Sequence, residues 1–171
     1  MTTQDIAPVE RARPPEDGTE WQTLTGMLDY LRGTVVHKVL GLTDEQAFGR
    51  PVDSSELTPA GLVKHLAGVE RFWFSIDFAG ADLPWPWPED DPHGGFRPAP
   101  ADTLASIVAD YQAECERSRQ AIAGAGLDEI ARAEGNAFSL RFALTHMIQE
   151  TARHCGHLDI LREKADGARG Q

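Results

Sequence analysis

The sequence predicts an all-α protein, a four-helix bundle, and three observations predict it. Apolar residues recur at spacings of three and four in four separate stretches. Helix start and stop signals bracket those stretches. No segment alternates apolar and polar residues for long enough to make a strand. Four amphipathic helices of three to seven turns each bury their apolar faces by packing on one another.

The first helix carries Trp21, Leu24, Leu28, Leu31, Val35, Val39 and Leu42 on one stripe. Gly41 and the polar stretch 43–58 connect it to the second, with LTDEQAF adding a short helical turn. Thr58 is an N-cap type and Pro59 suits the first helical position. The second stripe is Leu62, His65/Leu66, Val69, Phe72/Trp73 and Ile76. Residues 80–100, rich in proline and glycine, form a long crossover loop between helices two and three. Asp102 is positioned to cap the third helix, whose stripe is Leu104, Val108, Tyr111, Cys115 and Ile122, and Gly124 and Gly126 stop it. The fourth stripe includes Leu140, Ala143, Met147, Leu158 and Leu161 and ends before Gly167. The expected organisation is a flexible N-terminal arm over 1–18, one bundle domain over 19–166 and a tail over 167–171.

A chain of 171 residues with 41% hydrophobic and 25% charged residues suits one globular domain with a core of its own. Its net charge of −11 repels phosphate backbones and anionic lipid, so neither nucleic acid nor membrane is an expected partner. The first residues lack the apolar segment of a signal peptide, and no run reaches the ~20 apolar residues of a membrane span. Two cysteines make no disulfide framework; Cys115 reads as a small core residue. A cytoplasmic location is expected.

Polar residues that interrupt an apolar stripe carry the chemical information. His65 does so on the second helix. On the fourth, His146, Glu150, His154 and His157 follow at spacings of four, four and three, on one narrow face. Burying a carboxylate and imidazoles is costly unless they are paired or bind metal. His65, Glu150 and His154 are the expected ligands of a divalent ion. Two His and one Glu are a common zinc set with an open fourth position, and nickel or iron also accept it. His157 and His146 are candidate additional or supporting groups, with His146 more easily read as a half-exposed side chain. His37 and His93 read as surface. Trp85 and Trp87 either line a pocket mouth or tack the loop down. Glu70 is positioned for an ion pair with Arg153. The stripes of helices one and three offer no carboxylate, which excludes a di-iron site built from all four helices.

The segments TPAGLVKHLAGVERFWF and LRFALTHMIQETARHCGHLDILRE, with GLTDEQAFGRPV between the first two helices, resemble the DinB/YfiT-like superfamily of metal-binding bundles, in particular its mini-circle-protein branch. The resemblance spans roughly residues 20–165. Many members hold metal with three histidines; His65 and His154 match, while position 150 is Glu. The mycothiol-dependent maleylpyruvate isomerases are similar in using His, Glu and His, which implies that Glu150 is a ligand. The resemblance also implies frequent homodimers, and a low-molecular-weight thiol such as mycothiol as cosubstrate.

Three functions suit these residues. A metal-dependent thiol transferase or isomerase acting on a small-molecule substrate comes first. A non-catalytic metal-binding bundle is the alternative, favoured if His157 or His146 closed the site. A metal-dependent hydrolase comes third, and its base would have to be Glu70.

Overall fold

The computed structural model describes residues 6–169 apart from Glu89 and Pro92. The outer parts of the arm, 1–5, and of the tail, 170–171, lie outside the described residues. Helix α1, Glu20–Val39, opens with a reciprocal cap: Gln22 N–H donates to the Thr19 hydroxyl while the Gln22 side-chain oxygen accepts from Thr19 N–H. Thr43 and Gln46 repeat that cap on the short α2, Asp44–Phe48. Helix α3, Pro59–Glu70, starts as its sequence signals, with Thr58 accepting from Gly61 N–H at 3.0 Å. Helix α4 is Leu104–Ala121 and α5 is Leu140–Asp166. Gly167 ends α5 at φ 79°, a left-handed conformation glycine adopts without steric cost.

The four long helices form the bundle, with α1 packed chiefly on α5 and α3 on α4. Its interior holds two apolar clusters. Val35, Val39, Leu62, Leu66, Val108, Tyr111 and Leu158 fill one half, and Leu28, Phe74, Phe78, Leu140, Leu144 and Met147 the other. Burying each such side chain stabilises the fold by roughly 1.5–3 kcal/mol. Among the described residues no helix is long and apolar enough to cross a membrane. The arm follows α1: a carbon at the Cβ position of Gly26 would sit 2.8 Å from the Pro14 ring, and the Arg11 and Arg13 guanidiniums lie over the Tyr30 ring.

The structure corrects four expectations. Helix α3 does not continue as an α-helix but passes into a π-helical segment, Arg71–Phe78. Its wider i→i+5 turn changes which residues face inward. Phe74 and Phe78 are therefore fully buried, while Phe72, Trp73 and Ile76 sit at the margin. Glu70 does not meet Arg153. It is buried facing α1, where Arg32 grips both its oxygens at 2.8 and 2.6 Å. Glu114 of α4 is buried too, held by the Arg71 guanidinium at 2.9 Å, so the third predicted helix does carry an interior carboxylate. Thr103, not Asp102, caps α4; Asp102 instead accepts from Lys64 at 2.7 Å and from Ala99 N–H.

Candidate metal centre

His65 leaves α3 in its second turn, before the π segment begins. Glu150 and His154 leave α5 one turn apart, as the i, i+4 spacing requires. Their side chains converge: His154 Nε2 lies 3.0 Å and His65 Nε2 3.3 Å from the same oxygen, Glu150 Oε1. One ligand atom from each residue lies within 4.8 Å of the others, an arrangement that suits a single ion. The Glu150 and His65 side chains keep 17% and 15% of their exposure, so the cluster touches solvent on one side.

The electrostatics leave this cluster short of positive charge. Burial is the main influence on both imidazoles and lowers their pKa values, that of His65 to about 4. Burial also works against the Glu150 charge, but contacts with His65 and His154 outweigh it and hold the carboxyl below its ordinary range. At neutral pH the cluster is thus two neutral imidazoles around an anion. The nearest guanidinium, Arg153, is 57% exposed and stands 3.9 Å from Glu150. A divalent cation fits this donor set and this charge.

Two neighbours brace the imidazoles. His157 Nδ1 lies 3.2 Å from His154 Nδ1, so one ring donates to the other, and the His154 Nε2 is left facing Glu150. The Phe96 ring stacks on His65 with centroids 3.8 Å apart and planes 11° from parallel. Phe96 belongs to a 3₁₀ turn, Gly94–Phe96, in the long loop. That turn can lie on α3 only because Gly61 lacks a side chain. A carbon at the Gly61 Cβ position would meet the Phe96 carbonyl oxygen at 2.3 Å. Sequence reading gave Phe96 no role; an aromatic between Gly95 and Arg97 in a loop carries no periodic signal.

The remaining candidates lie elsewhere. His146 is half-buried against the Trp73 ring, centroids 4.3 Å apart, rather than beside the Nε2 atoms. His37 and His93 are exposed. Trp87 packs over Gly68 and Phe72, whereas Trp85 is 48% exposed. Cys115 and Cys155 are free and buried.

An all-helical bundle with two imidazoles and a carboxylate converging between two helices defines a class: DinB/YfiT-like bundle proteins. Within it the chain belongs to the mycothiol-S-transferase family, whose model matches residues 23–167. No curated protein matches the chain.

Proposed function

We propose that this protein is a metal-dependent S-transferase that joins a low-molecular-weight thiol of the mycothiol type to an electrophilic small molecule. The observation that carries the reading is the Glu150 carboxylate set between two Nε2 atoms at 3.0 and 3.3 Å, with the mostly exposed Arg153 guanidinium, 3.9 Å away, as its one ion-pair partner besides the imidazoles among the described residues. His65, Glu150 and His154 would hold the ion; zinc suits the set best, and nickel or iron are accepted by the same donors. A divalent ion there would lower the pKa of a thiol and supply a thiolate nucleophile at neutral pH.

The chain's residues do the rest. His157 fixes the orientation of His154, and Phe96 keeps water off one face of His65. The reaction is a displacement. The thiol proton passes to solvent, the sulfur lone pair forms the new S–C bond, and the leaving group departs with the electron pair of the bond it loses. The family membership supports the thiol as one substrate. A hydrolase would need a free base, and Glu70, its candidate, is tied to Arg32 by two hydrogen bonds.

The test is elemental analysis of the wild type and of Glu150→Ala, purified without chelator. About one ion per chain is expected, lost in the variant. A wild type that takes up neither zinc nor nickel would overturn the reading.

A further inference from the structure

Beside the three candidate ligands runs a feature that they do not use. The Phe142 ring stacks on His146, which lies against Trp73; Trp73 meets Phe72 edge-on, and Phe72 meets Trp85. These five rings form a continuous arc over the π segment and the first turns of α5. None carries a fixed charge, on a chain whose net charge is −11. Phe142 and Trp85, at its two ends, are 53% and 48% exposed, and the three rings between them are half-buried. His146 precedes Glu150 by one helical turn, a rise of about 6 Å, on the same face of α5. The arc thus borders the site where the thiol would be activated.

We infer that this arc binds the apolar, flat part of the electrophilic substrate, which makes aromatic electrophiles the preferred class. The inference rests on the transferase reading for the word electrophile, but not for the binding itself. The size of the patch argues for a small ligand. Half of two large aromatic side chains and lesser parts of three others expose on the order of 300–400 Å². A stable interface with a second copy needs about 800 Å² from each partner. One or two fused rings need no more than the arc offers, and offset or edge-on stacking on Trp73 and Phe142 is the geometry aromatic pairs prefer. The π segment makes the arc. By bringing Phe74 and Phe78 into the core, it leaves Phe72 and Trp73 at the surface margin.

Two measurements test this. The first is direct binding of N-phenyl-1-naphthylamine, a neutral aromatic probe, followed by its fluorescence. Phe142→Ala and Trp73→Leu should each weaken it by about five-fold, the size of one lost aromatic contact. Ile160→Ala, which removes an exposed apolar side chain further along α5, should leave it unchanged. The second compares 1-chloro-2,4-dinitrobenzene with iodoacetamide as acceptors of one thiol. Phe142→Ala should lower the ratio of the two kcat/KM values about five-fold, through KM for the aromatic substrate. Equal loss with both acceptors, or probe binding that ignores Phe142 and Trp73, overturns the inference. So does a change of sedimentation from dimer to monomer in Phe142→Ala without change in probe binding, which gives the arc to a second copy. If the wild type transfers to neither acceptor but the probe still depends on the arc, the transferase reading has failed and the aromatic site stands.

Discussion

Glu70 and Glu150 both lie between helices in this bundle, and they are treated differently. Glu70 is buried and gripped by Arg32 through two hydrogen bonds; burial opposes the Arg32 charge, and Glu70 overrides it, so the guanidinium stays ionised. That pair is complete within the chain. Glu150 is met instead by two imidazoles that burial holds neutral. The difference separates a charge balanced by the fold from one left for something else to balance. A buried Glu on a helix stripe is therefore not by itself a ligand signal. The type of partner decides it.

The comparison breaks most easily at the closed pair. Arg32→Met leaves Glu70 buried without its guanidinium partner, and should cost about 3–5 kcal/mol in urea denaturation, with most of it recovered in Arg32→Met/Glu70→Leu. A single variant as stable as the wild type would show that Glu70 is not committed to Arg32. The two cysteines sharpen the contrast next, since Cys115 neighbours the Arg32 pair and Cys155 follows His154. Burial pushes the Cys155 thiol up to about 12 and the Cys115 thiol also well above its ordinary value. Raised pKa values keep both thiols protonated at pH 8, so iodoacetamide should alkylate Cys155 about a thousand-fold more slowly than an ordinary thiol, and freely only after unfolding. Fast labelling of Cys155 in the native protein would mean that the α5 side of the bundle opens. The smallest effect belongs to His157→Ala, which removes the brace but no ligand. Zinc affinity, measured by competition with a chromogenic chelator, should fall about 10–100-fold and not vanish. An unchanged affinity would show that His157 has no part in orienting His154.

Much of the architecture was legible because it is written locally. Thr58-Pro59, Gly124 and Gly167 mark helix ends through backbone chemistry that depends on a few adjacent residues. The convergence of Glu150 with His154 follows from helical spacing, and His65 stood out as a polar break in an apolar stripe. What escaped is tertiary. The π segment is spelled RFWFSIDF, in which Phe72 and Phe74 are equally apolar, so composition cannot say which of them faces inward. The Arg32–Glu70 pair joins residues 38 positions apart, and no periodicity links them. Phe96 comes from a loop whose sequence indicates only that it is neither helix nor strand.

Gly61 shows how little material separates the site from a different one. Its place in the first turn of α3 costs the helix roughly 1 kcal/mol relative to alanine. In exchange, the Phe96 carbonyl comes within 2.3 Å of where a methyl carbon would stand. A side chain at position 61 would force the backbone to shift at Phe96, the residue whose ring lies on His65. The access of water to one imidazole is thus governed from a helix end that bears no chemistry, and sequence drift at position 61 would remodel the site without touching a single proposed ligand.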